Sequence, residues 1–351
     1  MKIIVKADEL LEKLNKIKPY ISTSPKIHTH KDIQIEVSET IKLRTYDGLT
    51  IAEALLQGSI EEVGSILVNP KSILQYLQSV PGKDLIELTI TPKNDVEIKR
   101  NNQPYYFRGS SGAHPGIKIK NDEYSLIDLK ELDNALAVIK DTVGNGGVQI
   151  ISENKKLQLN ATDNYRLGHC TLTNGGFGEF NGSLPYNMLE KISKLNFTHV
   201  YYDTHGKTLT FSNNNYAVQT RLIAQEFPNA SGLLETMPDV SFEVKRTELL
   251  EKLKRLEAVA ENQPLKIYCD TNIINIEAKN TDIGYGKEEI KLETKLPYEF
   301  EVYLHSKYLT QAVASFNSEL IEVCYSSSLA PVFVKNTNNP YGVHVIMPVK
   351  A

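Results

Sequence analysis

Three groupings in this chain have residue types and spacings that could do chemistry. His28 and His30 stand two apart, which on a strand would set both imidazoles on one face, where a third ligand could complete a metal site. No third ligand is evident nearby in the sequence, so a loop or edge-strand pair is expected. Asp163 and Arg166 could move a proton, but an aspartate just ahead of a basic residue ordinarily fixes a turn. Gly144-Asn145-Gly146-Gly147 and Gly175-Gly176-Phe177-Gly178 could cradle a phosphate, yet neither carries the lysine and hydroxyl of a phosphate grip, and both read as turns. No Gly-x-Ser-x-Gly, Walker or dinucleotide fingerprint occurs. Cys170, Cys269 and Cys324 lie far apart without Cys-x-x-Cys spacing, which fits small buried hydrophobes rather than a disulfide framework or a zinc site. The expectation is a protein with no catalytic residue, metal or cofactor.

The elements that position these residues repeat. Glu9-Leu10-Leu11-Glu12-Lys13-Leu14 recurs verbatim at residues 248–253, and Glu131-Leu132-Asp133-Asn134-Ala135-Leu136 is a degenerate copy between them. The intervals are close to a third of the 351 residues, the size of a whole domain rather than a solenoid unit. A second helix start follows each copy, at Asn69-Pro70, Leu184-Pro185 and His305-Ser306, with Pro70 and Pro185 suited to a first helical turn. A polar turn lies between the two helices each time: Thr45-Tyr46-Asp47-Gly48, Thr162-Asp163-Asn164-Tyr165 and Lys279-Asn280-Thr281-Asp282. Period-two runs predict strands around the helices, for example over 33–37, 95–100, 199–203 and 332–336. Helices are predicted near 8–17, 70–79, 129–142, 185–194, 246–260 and 306–315, the first amphipathic through Leu10, Leu14 and Ile17. Proline, glycine and acidic residues mark linkers at Gly116 to Tyr124 and Ser231 to Val240. The fold class is therefore α+β, in three similar domains of two helices on antiparallel sheet, with boundaries 1–119, 120–236 and 237–351.

With 41% hydrophobic and 23% charged residues the chain is ordinary globular material, long enough for two or three cores. The first residues, Met1 to Lys6, alternate like a strand, and no stretch approaches the roughly 20 apolar residues that cross a bilayer. A cytoplasmic protein without membrane contact is expected. The net charge of −4 argues against a protein that coats nucleic acid, while leaving room for a basic inner surface beneath an acidic exterior.

Three separated stretches carry a resemblance. Ala161-Thr162-Asp163-Asn164-Tyr165-Arg166-Leu167 is similar to the Ala-Thr-Asp-Gly-His-Arg-Leu segment of bacterial sliding clamps, the beta subunit of DNA polymerase III. Arg221-Leu222-Ile223-Ala224-Gln225-Glu226-Phe227-Pro228 resembles their Lys-Leu-Val-Asp-Gly-Arg-Phe-Pro, and Val345-Ile346-Met347-Pro348-Val349-Lys350-Ala351 resembles their Val-Val-Met-Pro-Met-Arg-Leu. The order of the stretches and of the three units spans the whole chain, as in a diverged member of that family.

The resemblance implies a processivity factor with no catalysis of its own. Three clamp domains per chain would close into a ring as a head-to-tail homodimer, with helices around encircled double-stranded DNA and sheets outside. It implies DNA-facing basic residues on the helices: Lys13, Lys16, Lys71, Lys140, Lys191, Lys194, Lys252, Lys254, Arg255 and Lys307. Glu12, Glu131, Glu190, Glu248 and Glu251 interleave with them, as on any solvated amphipathic helix. For the dimer interface it implies Phe107 with Leu256 and Val259. It further implies a groove for DNA polymerase and clamp-loader peptides formed by Thr162, Asn164, Tyr165, Arg166, Leu167, Pro228, Leu233, Tyr308, Leu329, Pro331, Val345, Ile346, Met347, Pro348 and Val349. Several positions depart from the family. Asn164-Tyr165 replaces Gly-His, Gly232 stands for an arginine, Asn145 and Asn262 stand for leucine and phenylalanine, and His305 for an asparagine. Two alternatives stay open: a clamp-fold adaptor that does not close a ring, and an enzyme without a recognisable motif.

Overall fold

The structure is a computed structural model describing residues 1–22, 27–119, 125–270, 272–293, 295–336 and 341–350. The chain opens with β1 (Lys2–Lys6), α1 (Ala7–Ile17), β2 (Ile33–Val37), β3 (Ile41–Tyr46), β4 (Thr50–Leu56), β5 (Gly58–Glu62) and β6 (Gly64–Val68). It continues with α2 (Pro70–Gln78), β7 (Leu85–Ile90), β8 (Asp95–Arg100), β9 (Gln103–Ser110), β10 (Ser125–Leu126) and α3 (Leu132–Ile139). Next come β11 (Val148–Glu153), β12 (Lys156–Thr162), β13 (Arg166–Leu172), β14 (Phe180–Leu184), α4 (Tyr186–Ser193), β15 (His199–Asp203), β16 (Thr208–Ser212) and β17 (Tyr216–Arg221). The last third holds α5 (Ala230–Leu234), β18 (Ser241–Lys245), α6 (Arg246–Ala260), β19 (Pro264–Asp270), β20 (Ile273–Asn280) and β21 (Gly284–Lys291). It ends with β22 (Phe300–His305), α7 (Ser306–Ser315), β23 (Leu320–Cys324), β24 (Val332–Asn336) and β25 (Tyr341–Ile346).

The strand pairs are antiparallel, and the chain separates into two compact units, 1–129 with 191–222 and 130–190 with 223–351. In the first unit one sheet runs β10-β15-β16-β17-β4-β3-β2-β6-β9-β8-β7-β1-β5. Its helix α1 buries Leu10, Leu14 and Ile17 on one face, and each such side chain contributes about 1.5–3 kcal/mol by leaving water. Asn69 caps α2 by accepting from the Lys71 N–H, and Pro70 takes the first helical position, where no hydrogen bond is lost. In the second unit one sheet runs β14-β11-β12-β13-β25-β24-β23-β18 and another β21-β20-β19-β22. Phe242, Phe300 and Tyr325 stack in its core, the last two with centroids 4.0 Å apart.

This division cuts across the expected boundaries near 119 and 236 for a physical reason. β4 pairs with β17 and β13 pairs with β25, so the sheet contacts of distant segments outweigh those of sequence neighbours. Helices α6 and α7 fall on the predicted spans, whereas the predicted helix over 129–142 holds only α3 and a final 3-10 turn, Lys140–Thr142. β5, β10 and β14 lack a sequence signal because each is short and half of its residues are polar or lie beside glycine, whereas β18 (Ser-Phe-Glu-Val-Lys) and β22 (Phe-Glu-Val-Tyr-Leu-His) carry apolar alternation that the sequence reading missed. The expected linker over 231–240 contains α5, opened by Asn229, whose side chain accepts from the Gly232 N–H. In the other expected linker, residues 120–124 lie outside the described residues. His28 and His30 lie on a 3-10 turn rather than a strand, and the His30 ring meets Tyr46 edge-on.

Two histidines are buried in the strands that join β13 to β25. His169 contacts Asn160 Oδ1 at 2.7 Å and Thr171 Oγ1 at 2.9 Å, and His344 contacts Ser315 Oγ at 2.8 Å. Burial holds His169 down to about 4 and His344 down to about 3. Unfolding returns both to the ordinary range near 6.5. Below that pH the unfolded chain takes up protons that the folded chain refuses, so stability present above it is lost as pH falls toward the folded values. At pH 5 the loss is about 2 kcal/mol per histidine. Urea unfolding at pH 7.5 and pH 5 measures it, and His344→Gln is expected to remove one histidine's share.

Candidate functional site

The site is built on the turn between β12 and β13. Asp163 Oδ1 accepts from the Tyr165 and Arg166 N–H groups, both at 3.1 Å, and Oδ2 accepts from Arg166 Nε at 2.9 Å. The Asp-to-Arg pair therefore fixes a turn, as its spacing predicts. Thr162 adds a bond from its hydroxyl to the Arg166 carbonyl at 2.7 Å and accepts from the Asn164 N–H at 3.1 Å. Asn164 itself is left-handed, with φ 75°.

The turn aims Arg166 inward, where it is only 8% exposed. Nη1 donates to Gln311 Oε1 at 2.6 Å, Nη2 donates to the Asp141 carbonyl, and the guanidinium lies 4.2 Å from the Tyr308 ring centroid. The His305 ring stacks on the same tyrosine, at 4.2 Å and 18°. Its Nδ1 is buried without a partner. Burial first, then the Arg166 and Lys307 charges, lowers the His305 pKa, so the ring is neutral at neutral pH.

Beside this polar wall lies an apolar one. Leu167, Ala230, Cys324, Phe333, Val343 and Val345 form a buried cluster, and half-exposed Phe227, Leu233, Leu234 and Met237 pack against it. The Met347 N–H donates to the Tyr165 carbonyl at 3.0 Å and the Val349 N–H to the Tyr303 carbonyl at 2.9 Å, which holds the final segment along the wall. Met347 is 40% exposed and Tyr165 64%. The structure thus brings together Leu167, Leu233, Val345, Met347, Tyr165, Arg166 and Tyr308. Ile346 is fully buried and alternates to the face opposite Val345. Leu329 stands 79% exposed, outside the cluster, Pro331 is half-buried, as is Pro348, and Pro228 is exposed. Residues the sequence reading missed are Phe227, Leu234 and Met237. Their only sequence signal was apolar side chains within the proline- and glycine-marked stretch around α5 (Ala230–Leu234).

Pro228 and Phe227 border an open pocket of about 330 Å³ whose other walls include Asn145, Asp163, Asn164, Gln225 and Glu226. Asn145 therefore meets polar neighbours there. Asn262 is exposed and left-handed with φ 72°, ending α6 behind Glu261, which has φ 43°.

Some of the basic helix residues are not free. Lys13 is 6% exposed with its ammonium 4.5 Å from the Tyr216 ring centroid, so it packs inside its own unit rather than facing a ligand. Lys191 is half-buried over Tyr20, and burial lowers its pKa. Lys252 bonds Glu248 at 2.7 Å, and Arg255 holds both Glu288 oxygens, at 2.7 and 3.1 Å. Lys16 reaches the Lys194 carbonyl at 3.5 Å. Lys71, Lys140, Lys194, Lys254 and Lys307 are exposed. Of the expected interface residues, Leu256 is 2% exposed and belongs to its own core, Val259 is half-buried, and Phe107 packs on Tyr76 at 5.7 Å. The exposed aromatics of that strand are Tyr105 and Tyr106. Among the described residues no group of three histidines, cysteines or carboxylates is placed to hold a metal, and no helix is long and apolar enough to cross a membrane. The three cysteines are buried and unbridged.

Two family models match, the DNA polymerase III beta subunit N-terminal domain over residues 1–109 and its C-terminal domain over residues 233–350. The chain belongs to the beta sliding clamp family. The beta sliding clamp of Mycoplasma pneumoniae is 21% identical across 99% of this chain and 97% of its own length, and that of Staphylococcus aureus is 20% identical across 92% and 88%. Solved structures share the fold. The DNA polymerase sliding clamp of Bacillus subtilis matches with a TM-score of 0.88 at 19% identity over 100% of this chain and 99% of its own. The beta subunit of Streptococcus pyogenes DNA polymerase matches with 0.88 at 18% identity over 100% of both.

The clamp motif's glycine at position 164 is explained by the left-handed backbone there, which asparagine also tolerates. Asn164→Gly is expected to leave stability within about 0.5 kcal/mol, whereas Asn164→Val forces a branched side chain into that conformation and costs about 1–2 kcal/mol. Urea midpoints of the two variants check this.

Proposed function

We propose that this protein is a DNA sliding clamp: a head-to-tail homodimer of three-domain chains that encircles duplex DNA and tethers DNA polymerase and other replication proteins. The single observation that carries the reading is a pattern of strand joints. In each of two places the last strand of one meander pairs with the last strand of another, β4 with β17 and β13 with β25. The third such pair of strands is left over. Among the described residues β21 pairs only with β20, and β9 pairs with β8, giving β6 only Gly109 and Ser110. β9 carries Tyr105 and Tyr106 at 46% and 60% exposure, and β21 carries Tyr285 at 59%. A long, exposed, aromatic edge needs a cover, and a β9-to-β21 joint between two copies repeats the internal joints and closes a ring.

A ring holds DNA topologically, with little attraction needed per phosphate. Catalysis is not part of this reading, and the cell compartment follows as the cytoplasm, where bacterial DNA is copied. Loaded on closed circular duplex at moderate salt, the protein is expected to stay bound, while on linear duplex it slides off the ends. Phe107→Asp, which places a charge in the β9 edge, is expected to give monomers by light scattering and to abolish retention on circles. Equal retention on both DNA forms by the unaltered protein overturns the proposal.

We assign partner-peptide docking to the apolar wall of Leu167, Leu233, Val345 and Met347 with Arg166 and Tyr308 beside it. The geometry that supports it is the partly buried apolar layer of Phe227, Leu233, Leu234 and Met237 over the buried Leu167 and Val345, with exposed Met347 and the fixed Arg166 and Tyr308 beside it. Removing residues 347–351 takes away the Met347 anchor and the two backbone bonds to Tyr165 and Tyr303. Calorimetry is expected to show at least a tenfold loss in affinity for a polymerase peptide, with dimerisation retained. The unaltered groove, with Gly232 and Asn145 in place of an arginine and a leucine, is expected to bind a glutamine-and-leucine-phenylalanine clamp peptide weakly.

A further inference from the structure

The β1–α1 and β18–α6 segments match in register. Lys6 pairs with Leu85 as Lys245 pairs with Leu320, and each strand runs directly into its helix. The verbatim hexapeptide then sets Glu248 where the other segment has Glu9. Their outer edges differ. β1 has a second neighbour in β5, with Gly58 opposite Val5, Ser59 opposite Ile4 and Ile60 opposite Ile3. The entry of β5 is tied down by the Gln57 N–H, which donates to Glu9 Oε1 at 3.0 Å. β18 pairs with β23 and ends its eight-stranded sheet. Among the described residues no strand pairs with its other edge, and an open pocket of about 370 Å³ is lined by all of β18, by Glu248, by residues 290–293 and by Leu320.

We propose that the outer edge of β18 is a docking site where an extended segment of a partner protein adds as a further antiparallel strand. β5 supplies the template for its chemistry. A glycine belongs opposite Val244, because a Cβ on Gly58 would stand 2.6 Å from both the Ile4 carbonyl and Val5 Cγ1. A lysine or arginine belongs opposite Glu243, which replaces Ile4 and whose carboxylate attracts a cation directly across the strands. An aliphatic residue belongs opposite Phe242, as Ile60 lies opposite Ile3. Glu248 has Oε1 on Lys252 at 2.7 Å and offers its second oxygen to the first N–H of the arriving strand, as Glu9 serves β5. The docked segment thus reads glycine, basic, aliphatic, and the site is separate from the groove of Leu167 and Met347.

The probe is a labelled peptide with the sequence of residues 56–63 carrying Ser59→Lys, titrated into the full-length protein. Binding is expected together with slowed hydrogen exchange at residues 241–245. The same peptide with Ser59→Glu is expected to bind at least threefold more weakly, because like charges then face each other. Glu248→Ala is expected to weaken the lysine peptide at least threefold. Glu243→Lys in the protein is expected to invert the preference, so that the glutamate peptide binds more tightly. Absence of protection at 241–245 at millimolar peptide, protection confined to the groove, or equal affinity for the two peptides in both protein forms overturns the proposal.

Discussion

A strand at the edge of a sheet carries unpaired N–H and C=O groups, and β4 and β13 each satisfy theirs against a strand from much later in the chain. The joints are long: Leu167 lies opposite Val345 and Ile51 opposite Gln219. Everything downstream depends on this closure. It interleaves the halves of the sequence into two units, it buries His169 and His344 without charge, and it lays the last strand beside the turn at Asp163. Without the β13-to-β25 ladder there would be no wall for Met347 to extend.

Much of the architecture was legible in the sequence because its signals are local. The repeated hexapeptide sets Leu10 and Leu14, and again Leu249 and Leu253, on buried helix faces, and Pro70 opens its helix where the sequence says it should. β2, β8, β15 and β24 lie on their predicted spans because each is a short run rich in apolar or aromatic residues bounded by polar ones. What was not legible was set by distant partners. β5 is exposed along its whole length and exists because β1 offers an edge. Neither Gly58 nor Glu62 announces a strand.

The candidate site divides in the same way. Asp163 and Arg166 were readable as a turn because both partners lie within four residues of each other, and their geometry agrees. The burial of Lys13 was not readable, since its cover is Tyr216, some two hundred positions later, and a lysine among glutamates on a helix reads as solvated. Leu256 misled in the same direction, because apolar residues of a helix say that a face is covered without saying by what. The groove residues Phe227, Leu234 and Met237 were hidden by the proline and glycine around α5, which look like a linker when taken apart from Leu167 and Phe333.

The Arg166 guanidinium is held on every side by its own chain: Asp163, Gln311, the Asp141 carbonyl and the Tyr308 ring. Its rotamers are therefore frozen before any partner arrives, and association there costs almost no side-chain entropy. Tyr165 and Met347, exposed on the same rim, keep their freedom and must lose it on contact. The rim is thus half rigid template and half adaptable surface, so related ligands that share a backbone path but differ in side chains would be sorted at Tyr165 and Met347, while Arg166 would treat them all alike.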